Sequence, residues 1–260
     1  MYNTNWQSLI NNMKHFILIS LCCVATVAMV AGCNSASKKA AKAAAEKAMQ
    51  DSLEQVRMDS INAAALAKKE EQAMAIVSKL PEEPVFDIVT TMGTIKVKLY
   101  KNTPKHRENF AKLAVAGYYD SLLFHRVIKG FMIQGGDPFT KDTSKIDQWG
   151  QGGPGYTIPA EFVKGNVHKK GALAAARRGD AANPMKESSG SQFYIVQDAN
   201  TCKQLDGEYT VFGETVEGLD VIDRIASVET DKYARPLIDV RILTIKVDPQ
   251  SMPKPEGGKK

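Results

Sequence analysis

No glycine or proline interrupts residues 35–80 of this chain, and Pro81 and Pro84 then break the run in quick succession. Ala, Lys, Glu, Gln and Met dominate the run, and these residues lose little on entering a helix, so it reads as one long helix or two shorter ones. Fully helical, it would reach about 65 to 70 Å at roughly 1.5 Å per residue. Beyond Pro84 the apolar period shortens to that of strands and glycines become frequent. The boundary therefore separates a helical stalk or linker, residues 33–84, from a mainly β domain, residues 85–248. Met49, Leu53, Val56, Ala63, Ala67, Met74 and Val77 follow an alternating four-three spacing, with Ser60 and Glu70 at two of the seam positions. That weak heptad suits either weak self-association of the stalk as a coiled coil or a solvated spacer that carries a domain.

Ahead of the stalk, Met13-Lys14-His15 precede an apolar run over residues 16–30 that ends at Val30-Ala31-Gly32-Cys33. A basic start, a short apolar middle and a small-residue end are those of an export signal, and the run is too short for a settled membrane span. The ending resembles a bacterial lipobox. That implies cleavage before Cys33, a lipid such as palmitate on that cysteine, and a membrane anchor in the cell envelope that faces the periplasm or the exterior. Residues 1–32 are then a signal peptide, of which 1–12 read as an extension upstream of Met13; ordinary signal cleavage and an uncleaved anchor are the competing readings. Of the four cysteines, Cys22 and Cys23 leave with the signal, Cys33 carries lipid and Cys202 stands alone, so no internal disulfide framework is expected. The net charge of +5 includes a flexible basic tail, residues 249–260. Mild basicity suits anionic headgroups, and no basic face interleaved with aromatics points to nucleic acid.

Within the β domain, residues 85–89 and 95–100 flank a turn in which Gly93 supplies the unusual backbone. Thr103 and Pro104 open a helix whose apolar set, Phe110, Leu113 and Ala114, ends at Gly117. A second helical pattern covers residues 219–227, and a last strand covers 238–247. Many short strands with two helices indicate a closed antiparallel barrel or a sandwich. Residues 124–138 are the chemically unusual stretch. Phe124, Val127, Ile128, Phe131, Met132 and Ile133 surround Arg126, a cation that cannot lose its proton. Taken alone, the pattern fits a surface arginine whose stem packs on apolar ground, or a cation in a site that grips a neutral apolar ligand.

Three blocks decide between these. FHRVIKGFMIQGGDP (residues 124–138), SSGSQFYIV (188–196) and LDGEYTVFGETVEGLDVID (205–223) resemble, in the same order, the signature blocks of the cyclophilin-type peptidyl-prolyl isomerases. The similarity covers residues 85–247. It implies a closed eight-stranded antiparallel barrel capped by two helices, and a rotamase that acts on X-Pro bonds in proline-containing segments of client proteins, with no cofactor and no metal. It puts Arg126 at the family's catalytic arginine and Gln134 where the substrate backbone is held. Phe131, Met132, Tyr194 and Leu205 match the floor and walls of the proline pocket, and Tyr209 stands where many members carry histidine. Gln192 matches a second polar residue facing the substrate, and Ala176 and Arg177 fall in the loop that takes the residue before proline. Arg177 and Arg178 replace a small polar and apolar pair, the stretch at residues 180–187 differs, and Gln204 stands where eukaryotic members often carry a tryptophan important for cyclosporin. A prolyl-peptide binding or chaperone module with incidental turnover is the alternative from another class.

Other motifs are weaker. Ser191, His125 and Asp137 lack the strand-turn-helix elbow of a hydrolase triad, and His125 reads as a satisfied histidine that braces the strand of Arg126. His106 and His168 are isolated and show no metal spacing. Residues 150–155 are glycine-rich without the lysine and hydroxyl of a phosphate loop, so they read as a flexible loop, and Cys202 reads as a bystander.

Overall fold

The computed structural model of the protein describes residues 35–252; the signal segment, Cys33 and the end of the basic tail lie outside them. The stalk is one helix, α1 (Ser35–Val77). The chain divides into two units between Ala65 and Leu66, so the last turns of α1 belong with the β domain. There Ala73 is buried, Val77 and Leu80 pack on the domain's core, and Glu70 Oε2 lies 3.0 Å from Lys112 Nζ. Val77, expected in a helix–helix seam, therefore faces the domain. In the first unit Met49 and Leu53 are 54% and 56% exposed. Among the described residues no helix is long and apolar enough to cross a membrane.

The β domain opens with the expected hairpin, β1 (Val85–Thr90) and β2 (Gly93–Leu99), in which Thr90 faces Gly93 and the glycine takes a φ of +128° that other residues rarely adopt. Next come α2 (Pro104–Val115), β3 (Arg126–Ile128), β4 (Met132–Gly135), β5 (Thr157–Ile158), β6 (Ala172–Ala175), β7 (Ser188–Ser189) and β8 (Phe193–Val196). A short α3 (Ala199–Cys202), β9 (Val211–Glu217), α4 (Leu219–Ala226) and β10 (Ile242–Val247) complete it. Eight strands form one antiparallel sheet in the order β10, β1, β2, β9, β6, β8, β4, β3, while β5 pairs with β7.

The barrel expected from the resemblance is not closed by a strand ladder, because β10 and β3 are the edges of the sheet. The edges meet just ahead of both strands, at an isolated bridge between Leu123 and Arg241. Phe124 N donates to Val240 O at 2.9 Å, and Ile242 N donates to Leu122 O at 2.8 Å. Since Val240 and Arg241 serve this seam, β10 starts at Ile242 and not at 238, and Ile238 is left 81% exposed. At the other end, residues 249–251 turn back onto the domain, where Ser251 Oγ accepts from Val85 N at 2.9 Å.

Both expected helices are present, but α2 is capped differently. Thr103 makes no side-chain cap; its hydroxyl donates to Tyr100 O at 3.3 Å. The orphan N–H groups of the first turn are met instead by Glu161, whose carboxylate accepts from Lys105 N and His106 N, each at 3.0 Å, and lies 2.6 Å from His106 Nδ1. Burial opposes charge on Glu161, yet the bonds from His106 and Lys105 prevail and hold its carboxyl below the usual range.

Alternate residues of each strand enter different layers. Ile133, Leu173, Phe193, Ile195 and Phe212 point inward and pack with Phe110 and Leu113 of α2 and Ile222 and Ile225 of α4. Phe110 meets Phe193 edge-on with ring centroids 5.6 Å apart. On the outer face Met132, Ala172, Ala174, Tyr194, Val196, Cys202 and Val211 form a second cluster, with Phe131, Ala176, Leu205 and Tyr209 at its margin.

Candidate active site

The outer cluster is where the sequence-predicted site residues gather. Arg126 stands directly opposite Gln134 in the β3–β4 register, and its Nη1 donates to Gln134 Oε1 at 3.2 Å. The guanidinium carbon lies 6.0 Å from the centroid of the Phe131 ring, and Nη1 lies 4.0 Å from Met132 Sδ. Among the described residues no carboxylate pairs with Arg126. Burial pulls its pKa down and nearby Tyr209 opposes this, but the group stays charged at neutral pH. The result is a half-buried, uncompensated cation beside apolar and aromatic side chains.

Gln134 is held in turn. Its Nε2 donates to Gln192 Oε1 at 3.0 Å, and Gln192 Nε2 donates to Gly150 O at 3.0 Å and Gly152 O at 2.8 Å. The loop expected to be flexible is thus a fixed acceptor pair. Asp137 fixes it: this fully buried carboxylate accepts from Phe139 N at 2.8 Å, Gly152 N at 3.2 Å and Gly150 N. A carboxylate that accepts several backbone N–H groups orders the loop without needing a counter-cation. Gly136 lets the two segments touch, because with φ at +91° a Cβ there would lie 2.2 Å from Ser191 O.

These contacts also dispose of the triad. Ser191 Oγ donates to Gly136 O at 2.8 Å and does not meet His125. His125 is buried, and among the described residues neither ring nitrogen has a hydrogen-bond partner, so it is not the satisfied brace that the sequence indicated. Burial pushes its pKa down to about 4, with the Asp137 charge opposing, and the ring is neutral at pH 7.

Met132 and Tyr194, expected from the resemblance in the floor and walls of a proline pocket, are both buried. The Tyr194 hydroxyl lies 2.8 Å from His168 Nε2, and His168 Nδ1 lies 2.7 Å from Asp206 Oδ1. With the carboxylate on Nδ1, that nitrogen carries the proton and Nε2 accepts from the tyrosine. Burial lowers the His168 pKa against the pull of Asp206, and burial raises that of the Tyr194 phenol. Neither His106 nor His168 is isolated, since each is paired with a carboxylate distant in sequence. At the rim the Tyr209 ring meets that of Tyr194 edge-on at 6.1 Å, and Ala176 is fixed by its N–H donating to Gln192 O at 3.0 Å. Arg177 packs against Tyr209, with 4.3 Å from guanidinium carbon to ring centroid. Cys202 is buried beneath Phe131, its Sγ 3.6 Å from Phe131 O, and burial pushes the thiol up to about 11.

Asp137, Gly150, Gly152, His168 and Asp206 were not read from the sequence as parts of the site. Asp137 alone carried a local signal, since an Asp before Pro138 is a common opening of a short helical turn. Among the described residues no group of three or more His, Cys, Asp or Glu side chains could hold a metal ion. What the arrangement can do is grip an apolar ring on Met132, Tyr194 and Phe131 and present a cationic donor at its edge.

Known proteins share this organisation. The family model for cyclophilin type peptidyl-prolyl cis-trans isomerase/CLD matches residues 85–247. Peptidyl-prolyl cis-trans isomerase-like 1 of Neurospora crassa is 41% identical over 161 residues, 62% of this chain and 91% of that protein. Peptidyl-prolyl cis-trans isomerase CYP71 of Arabidopsis thaliana is 42% identical over 171 residues, 65% of this chain, but the match spans only 25% of that longer protein. The fold is similar to the crystal structure of a Cryptosporidium parvum cyclophilin type peptidyl-prolyl cis-trans isomerase, with a TM-score of 0.56 and 30% identity over 64% of this chain and 98% of that one. The same Cryptosporidium protein in the presence of the dipeptide Ala-Pro gives a TM-score of 0.55. With the family model matched across the whole β domain, the chain belongs to the cyclophilin-type peptidyl-prolyl cis-trans isomerases.

Proposed function

We propose that this protein accelerates cis–trans exchange of X-Pro bonds in flexible or unfolded protein segments, with Arg126 as its electrostatic element. The observation that carries this is the half-buried guanidinium of Arg126, without a carboxylate partner among the described residues and bonded to Gln134 at 3.2 Å. Rotation about the prolyl bond is opposed by amide resonance, a barrier of about 18 to 20 kcal/mol. Uncatalysed exchange takes roughly 10 to 100 s, so millisecond turnover needs about four decades, or about 5 to 6 kcal/mol of preferential transition-state binding. In the twisted state the lone pair localises on the prolyl nitrogen, and a donor held in a dry site stabilises it there. Phe131, Met132, Tyr194, Leu205 and Tyr209 would hold the ring, Gln134 and Gln192 the peptide backbone, and Ala176 the residue before proline. An exchange assay on a short X-Pro peptide separates this from a binding or chaperone module: tight binding without acceleration would favour the module.

The address is a separate reading. We infer a lipid anchor at Cys33, with the domain carried on α1 outside the cytoplasm, from the leader over residues 13–33 alone; those residues lie outside the described structure. The named relatives come from a plant, a fungus and a protist, and their names do not speak to an envelope location. Cys33→Ala should leave the membrane fraction or accumulate as precursor, and wild-type protein found free and unacylated would overturn the anchor. Weak self-association through α1 rests on the exposed Met49 and Leu53, and the mass of the chain with and without residues 35–65 tests it.

A further inference from the structure

A charge at Arg177, beside the residues that the resemblance assigns to the substrate, would favour acidic substrates. The geometry gives it different work. Its side chain is only 4% exposed. Nε donates to Glu208 O at 3.0 Å, Nη1 donates to Arg178 O at 3.1 Å and to the Asp180 carboxylate, and Nη2 lies 3.6 Å from Glu208 Oε2. The donors of the fork are therefore occupied, and its central carbon lies over the Tyr209 ring, 4.3 Å from the centroid. Glu208 also pairs with Lys186, so one network ties the loop at residues 177–187 to the turn that carries Leu205 and Tyr209. Within the turn Glu208 N and Tyr209 N both donate to Leu205 O, at 3.0 and 3.1 Å. A guanidinium suits this task because it bonds in its plane while stacking on a ring, which an ammonium cannot do. With two carboxylates already on it, Arg177 has little field left for a ligand. Arg178, exposed and without an ion pair among the described residues, is the free cation of the loop.

We propose that Arg177 is a positioning residue for isomerisation: it backs the Tyr209 ring at the pocket rim, joins the 177–187 loop to that rim, and does not read substrate charge. This rests on the reading of the Arg126 cleft as the isomerising site. The test uses the full chain and two X-Pro peptides, with Ala or Glu before proline, and separates kcat from KM. Arg177→Met is expected to raise KM about 3- to 10-fold, equally for both peptides, with kcat within about twofold, and Arg177→Lys should not restore it. In a Tyr209→Ala background, Arg177→Met should add less than about twofold, because the residue acts through the ring. Asp180→Asn, a surface change that loosens the same network, should raise KM for both peptides in the same direction and guards against a variant that folds poorly. The proposal is overturned if Arg177→Met harms the Glu peptide selectively, if Arg177→Lys restores full binding, or if the double variant loses the product of the two single losses. Arg126→Ala distinguishes the two claims. If it is inactive while Arg177 and Tyr209 prove uncoupled, only the positioning role falls; if it keeps wild-type activity, the site reading falls and the positioning role with it.

Discussion

Neighbouring residues on one strand serve opposite layers of this domain. Ile133 and Phe193 enter the core against α2, while Gln134 and Tyr194, one position later, belong to the candidate site on the other face. Inner-face strand residues are apolar and locked by aromatic contacts; the outer face carries the cation, the two glutamines and the buried hydroxyl. The difference shows how a sheet separates stability from chemistry through its period of two, so that a slip of one residue would exchange the layers. It also explains why the polar face is tolerated: Gln134, Gln192 and Tyr194 each have a partner, and Arg126 is only partly buried.

The division can be broken most forcefully at β8. Phe193→Ala should cost about 3 to 5 kcal/mol in denaturant unfolding, since it empties a packed aromatic cluster. Tyr194→Phe, the next position, should cost only about 1 kcal/mol because it removes one hydrogen bond and no volume. Equal costs would mean that the faces are not energetically distinct.

Acid should sharpen the comparison next. An unfolded chain takes up a proton at His125 near its ordinary value of about 6.5, and the folded chain only near about 4, so the unfolded state gains as pH falls through that window. Stability is therefore fully present above about pH 6.5 and declines toward about pH 4, by up to about 3 kcal/mol from this residue. His168, also lowered by burial, adds in the same direction. Urea midpoints at neutral and acid pH should lie closer together in His125→Phe than in the wild type; an unchanged acid slope would show that His125 does not titrate in this way.

The smallest effect concerns the cap of α2. Glu161→Ala should cost about 1 to 2 kcal/mol, as loss of a charged cap does, and Thr103→Ala less than about 0.5 kcal/mol. The reverse order would restore Thr103 as the cap.

These examples also mark what was legible in the sequence. The hairpin at Gly93, both helices and the grouping of Arg126, Gln134, Gln192 and Tyr194 were readable, because local turn chemistry and three ordered blocks encode them. The face assignment of β8 was not, since all of Phe193, Tyr194, Ile195 and Val196 are buried and a strand covered on both sides shows no alternation. The contacts of Glu161 with His106, Asp206 with His168, and Asp137 with the 150–152 loop join residues far apart in the chain, and no local pattern announces them. For a related reason, a charge read from sequence carries no sign of the two carboxylates that surround Arg177.

The central claim is that Arg126 contributes chemistry and not stability. The most direct measurement is kcat/KM for an X-Pro peptide in Arg126→Ala beside its urea midpoint. The account predicts a fall of about 100- to 1000-fold with the midpoint essentially unchanged, as for loss of a preorganised donor. Wild-type turnover, or a loss of rate that merely tracks a loss of folded protein, would contradict it.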